Sequence, residues 1–66
     1  MKVRYFADTD TLHIQLNDRD VEETRDLNDN VLIDLDRDGI VVGLTIEHAR
    51  EQSGASLDFS YEPSAA

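Results

Sequence analysis

The sequence predicts an α+β fold that is mainly β: a small antiparallel, meander-like sheet of about five strands, one short C-terminal helix and an extended tail. Three observations predict it. Apolar and polar residues alternate in short runs, most cleanly over Thr11-Leu12-His13-Ile14-Gln15-Leu16, the period of a half-buried antiparallel strand. Those runs are separated by clusters of Asp, Asn and Gly, whose side chains and backbone freedom favour turns. Only Glu47 to Ser53 gathers helix formers, and Gly54 follows them as a natural stop.

The elements follow in order. Lys2 to Phe6 reads as a short strand with Val3 and Tyr5 on one side and Lys2, Arg4 and Phe6 on the other; Ala7-Asp8-Thr9-Asp10 supplies its turn. Thr11 to Leu16 places Leu12, Ile14 and Leu16 on one face. After Asn17-Asp18-Arg19-Asp20, the polar run Val21 to Leu27 suits an exposed edge strand, where charge discourages unwanted pairing. Asn28-Asp29-Asn30 makes the next turn. Val31 to Ile46 then forms a hairpin around Asp36-Arg37-Asp38-Gly39, with Val31, Ile33 and Leu35 facing an apolar layer shared with Ile40, Val42, Leu44 and Ile46. Gly43 interrupts an otherwise bulky strand and marks a bulge or a close approach of another segment. In the tail, Leu57, Phe59 and Tyr61 alternate before Pro63, as one more edge strand or an arm onto a neighbouring subunit would; Ser64 to Ala66 is expected to be disordered. Residues 1–54 are therefore read as one β-rich domain and residues 55–66 as its tail.

Length and charge bound the function. A chain of 66 residues buries only about 60% of the surface its unfolded form exposes, and with no cysteine there is no disulfide framework to reinforce the core. Association with a second copy is the expected remedy, so a homo-oligomer is predicted. No signal peptide or membrane span is read in the sequence, and a cytoplasmic location is expected. The formal net charge is −9, with 15 acidic against 6 basic residues. Asp18, Asp20, Glu22, Glu23, Asp26, Asp29, Asp34, Asp36 and Asp38 crowd one stretch beside only Arg19, Arg25 and Arg37. Such a field repels phosphate backbones and anionic lipid, which argues against nucleic-acid and membrane binding. A basic protein or a divalent cation is the compatible ligand.

The spacing Tyr5-x4-Asp10-x-Leu12-x-Ile14-x-Leu16, followed by the acidic segment and then Val31-Leu32-Ile33-Asp34-Leu35-Asp36-x-Asp38-Gly39-x-Val41-Val42-Gly43-Leu44-x-Ile46, resembles the bacterial domain of unknown function 2283 family over about residues 1 to 50. The resemblance implies a small antiparallel β domain with a C-terminal helix. It transfers no catalytic residue, and it implies an association of some relatives with small basic toxin-like proteins.

Candidate chemistry is sparse. Asp34, Asp36 and Asp38 occupy the first, third and fifth positions of a helix-loop-helix calcium loop and Gly39 the sixth, but Thr45 stands where a bidentate Glu closes such a loop. The same residues also serve as ordinary turn chemistry. His13 is expected on the polar face of its strand, and His48 does not share a helix face with a second histidine. Ser53, Ser56, Ser60 and Ser64 lack a nucleophile elbow, and among only three glycines no phosphate loop occurs. Neither an enzyme nor a cofactor is expected. The reading that follows is a protein-interaction module, antitoxin-like in engaging a small basic protein through Asp18, Asp20, Glu22, Glu23 and Asp26. The alternative is a divalent-cation-binding domain that uses Asp34, Asp36 and Asp38.

Overall fold

A computed structural model describes residues 1–65. Five strands, β1 (Lys2–Phe6), β2 (Thr11–Gln15), β3 (Glu23–Asn28), β4 (Val31–Leu35) and β5 (Val41–Glu47), precede one helix, α1 (Ala49–Ser53). All neighbours pair antiparallel in one open sheet ordered β1-β2-β5-β4-β3. The α+β, mainly β expectation is met.

The order departs from a simple meander at one place. Each of β1-β2 and β3-β4-β5 runs as consecutive neighbours, while the chain between them crosses the end of the sheet to reach its far edge. Hydrogen bonds hold that crossing down. Leu16 donates its amide to Val42 O at 2.8 Å and Asn17 Nδ2 donates to Val41 O at 3.0 Å; the Glu22 amide donates to Leu35 O at 2.8 Å. The crossing thus spends donors on the open ends of β5 and β4 before β3 begins.

Register sorts the side chains into rows. Across the apolar face run Tyr5, Leu12, Ile46, Val31 and Asn28, and beside them Val3, Ile14, Leu44, Ile33 and Arg25. On the reverse face run Arg4, His13, Thr45, Leu32 and Asp26, then Lys2, Gln15, Gly43, Asp34 and Thr24. Alternation along each strand is the cause. The buried apolar residues are few: Leu12, Leu35, Val42 and Ala49.

Irregularities fall where the sequence signals them. A register shift sets Val41, rather than Val42, opposite Leu35, immediately beside Gly43. A second shift, between Asp26 and Asn28, leaves Leu27 without a partner and exposed. Ile40 does not join the apolar layer, because its amide is drawn into the turn by Asp36, and it remains exposed. Leu16 likewise lies just past β2 and is exposed.

The helix is shorter than the run of helix formers from Glu47 to Ser53. Glu47 stays in β5, opposite Thr11 and with its amide on Asn30 O at 2.7 Å, and His48 turns the chain through a left-handed φ of 54°. Gly54, at φ 76°, closes the helix as the sequence predicts. The described tail, from Ala55 onward, adds no strand to the isolated chain, and Phe59 and Tyr61 are exposed. Ala66, the last residue of the segment expected to be disordered, lies outside the described residues.

Candidate interaction surface

The acidic segment lies along the crossing and the β3 edge, and all five predicted contact residues, Asp18, Asp20, Glu22, Glu23 and Asp26, are exposed. The structure does not make them equivalent. Arg25 donates two hydrogen bonds to Glu23, at 2.8 and 3.0 Å, which hold the Glu23 carboxyl below the usual carboxylate range. Arg19 turns away from the segment and donates to Asp36 Oδ2 at 3.1 Å. Both arginines of the segment are thereby engaged, and among the described residues Asp18, Asp20, Glu22 and Asp26 form no salt bridge. Glu23 and Asp26 also point to opposite faces of the sheet.

The aspartates of the β4-β5 hairpin part company. Asp36 is buried, and its Oδ1 accepts the amides of Ile40 at 2.8 Å and Asp38 at 2.9 Å. The Ile40 amide first, and then the Asp38 amide and Arg19, hold this carboxyl below the usual carboxylate range against the opposing effect of burial. Its backbone also exchanges hydrogen bonds with Ile40 and Gly39, so Asp36 builds the turn. Asp34 instead faces the reverse side, accepting the Thr24 hydroxyl at 2.7 Å with His13 Nε2 at 3.8 Å. Asp38 lies exposed in the turn. The three are not brought together, and no group of three His, Cys, Asp or Glu side chains among the described residues could hold a metal ion.

Gly43 explains how His13 and Asp34 come to face each other across β5. A Cβ built there would stand 2.8 Å from Ile14 O, 3.5 Å from His13 Nε2 and 3.7 Å from Asp34 Oδ2. Only a missing side chain leaves the space. Thr24, Asp34 and His13 form a polar line on the reverse face, with the Thr24 hydroxyl committed to Asp34 rather than to His13.

Sequence reasoning did not identify the role of Asp10. Its Oδ1 accepts the Tyr5 hydroxyl at 2.6 Å and the Arg50 amide at 3.0 Å, and its carbonyl accepts the Ala49 amide at 3.0 Å. The β1-β2 turn therefore supplies the acceptors for the first amides of α1, because His48 at the N-cap makes no side-chain cap bond. The Tyr5 hydroxyl first, then the Arg50 amide, lowers the Asp10 carboxyl, and the same bond raises the Tyr5 hydroxyl. The shallow hollow of about 570 Å³ at this end of the sheet includes Tyr5, Asp10 and Arg50. Its carboxylate is occupied by structure rather than available to a substrate. The signal was the pairing of Tyr5 with Asp10 in the motif, which carries no hint of a partner 40 residues away.

Charge is graded across the sheet. Lys2 and Arg4 lie on β1 at one edge; Glu22, Glu23, Asp26 and Asp29 lie on or beside β3 at the other. The apolar face, by contrast, carries among its strand residues only the paired Glu23 and Arg25 as charges. No helix is long and apolar enough to cross a membrane among the described residues.

A protein-family profile described as "Protein of unknown function (DUF2283)" matches residues 2–50. Neither a curated protein nor a solved structure matches the chain. The match covers all five strands and reaches the start of α1.

Proposed function

The chain belongs to the domain of unknown function 2283 family, and from that premise we propose that it acts by association, as an acidic protein-interaction module that engages a small basic protein in an antitoxin-like manner. The observation that carries this reading is the engagement of Arg19 and Arg25, which leaves Asp18, Asp20, Glu22 and Asp26 exposed without a cation along the crossing and the open edge of β3. An unneutralised acidic patch beside an unpaired strand edge offers both steering charge and backbone hydrogen bonds. The module works as a homo-oligomer in the cytoplasm. Support for the oligomer comes from the small number of buried apolar residues and the half-exposed apolar rows of the sheet.

The test uses the intact chain immobilised in lysate of its source organism, with bound protein eluted by a salt gradient. A small basic protein should be retained by the native chain and lost from Asp20→Lys/Glu22→Lys, because exposed interfacial charges set association rate and salt dependence. Identical elution from both chains would overturn the reading.

A further inference from the structure

We propose that the tail of a second copy of this chain, Leu57 to Glu62, adds as a sixth strand to the outer edge of β1. The proposal rests on the homo-oligomer reading and gives it a contact. β1 ends the sheet, and among the described residues no strand pairs with its outer side, where Val3 is 46% exposed. The unpaired N–H and C=O groups of such an edge are a template for one more strand.

The pattern of the tail fits that edge on both faces. By register, Val3 and Tyr5 lie on the apolar face of β1, and Lys2 and Arg4 lie on the reverse face. In the tail, Leu57, Phe59 and Tyr61 alternate with Asp58, Ser60 and Glu62. A strand in phase with β1 sets Leu57, Phe59 and Tyr61 beside Val3 and Tyr5, and sets Asp58 and Glu62 beside Lys2 and Arg4. Opposite residues on neighbouring strands stand about 4.5–5.5 Å apart, so the charges meet within ion-pair range. A slip of one residue exchanges the two sets and loses both matches.

The other edge does not fit. On β3 the same strand would set its apolar residues beside Glu23 and Arg25 and its acids beside Asp26. Charge thus tells the two edges apart: β1 takes the acidic tail, and β3 stays open to a basic protein.

The tail comes from a second copy because its own sheet leaves it unpaired. Ala55 and Ser56 line the same hollow as Tyr5 and Ala7 at the end of β1. The residues that follow nevertheless form no strand, and Phe59 is 59% and Tyr61 82% exposed. Each copy carries one arm and one open edge, so mutual exchange closes the pair.

Two doubly substituted chains test this. Asp58→Lys/Glu62→Lys reverses the arm and Lys2→Glu/Arg4→Glu reverses the edge, all at exposed positions. Sedimentation from about 1 μM to about 1 mM reads association, and hydrogen exchange followed by mass spectrometry reads the tail. The expected result is a concentration-dependent pair in which the amides of residues 57–62 gain protection as it forms. Each reversed chain alone should associate about tenfold more weakly. An equimolar mixture of the two should recover the native affinity, because arm and edge are again complementary across copies. Both chains remain acidic, so overall charge does not draw them together. Tail amides protected in a monomer would put the strand on its own sheet and overturn the proposal. Association with the tail unprotected, or a mixture as weak as its components, would overturn it while leaving self-association standing. A monomer with an unprotected tail throughout the range would overturn both.

Discussion

Replacing Gly43 by Ala should destabilise the sheet at its centre. The new methyl would sit 2.8 Å from the Ile14 carbonyl oxygen, a backbone atom fixed in the β2-β5 ladder, so the strands must separate by several tenths of an ångström. Overpacking of this kind costs about 1–3 kcal/mol. The reduced freedom of the unfolded chain returns about 0.5–1 kcal/mol, leaving a net loss centred on about 1–1.5 kcal/mol and at most about 2.5 kcal/mol. A domain of this length holds roughly 3–10 kcal/mol in total. Since each kcal/mol moves the midpoint of so small a domain by about 4–8 °C, thermal unfolding followed by circular dichroism should shift down by about 4–12 °C. Protein concentration must be held fixed, because the homo-oligomer proposed above would make the midpoint depend on it by mass action. Gly39 provides the control: it has open space but a φ of 81°, so its Ala variant also loses stability while Asn recovers part of it. At position 43 Asn should be no better than Ala. A Gly43→Ala chain that melts at or above the native temperature would refute the steric argument.

Three further outcomes are expected. The Asp36 and Asp10 carboxyls lie below their unfolded values, so their contribution is complete above the ordinary carboxylate range and is lost as the pH falls through the lowered folded values. Acid unfolding should therefore be shallower in an Asp36→Asn/Asp10→Asn chain, and denaturant melts taken between about pH 2 and pH 5 with an unchanged slope would contradict this. Tyr5→Phe removes the largest cause of the low Asp10 value, so the Asp10 carboxyl, followed by NMR, should titrate closer to its ordinary position; an unmoved titration would show that the Arg50 amide suffices. Arg19→Gln frees the crossing from Asp36, and faster hydrogen exchange at the Glu22 amide, with β1 unaffected, is the expected signature.

Strand positions were legible because one-sided burial imposes a period of two on the sequence, and Thr11 to Leu16 states it without interruption. Their order was less so, since nothing in Leu16 to Glu22 announces that the Leu16 amide, the Asn17 side chain and the Glu22 amide will be spent on Val42, Val41 and Leu35. The bulge beside Gly43 was foreshadowed by the glycine, but a shift of one residue is a property of the pair of strands and not of either alone. The acidic surface could be read as composition. Its division into neutralised and open acids could not, because that depends on which of two nearby carboxylates each arginine reaches. The calcium-like spacing of Asp34, Asp36 and Asp38 illustrates the same limit: identical residues at that spacing build a turn when the central one turns inward to accept the amides of Asp38 and Ile40.

The tie between Asp10 and α1 bears on the order in which the molecule assembles. A helix of five residues has too few internal bonds to persist alone, and its first amides find their acceptors only after the β1-β2 turn has formed and β2 has docked beside β5. The helix should therefore be the last element to gain protection during refolding and the first to lose it. Pulsed hydrogen exchange showing the Ala49 and Arg50 amides protected before those of β2 would contradict this sequence of events. By the same logic, a chain cut after Glu47 should keep its sheet, whereas one begun after Asp10 should lose both an edge strand and the helix at the opposite end of its sequence.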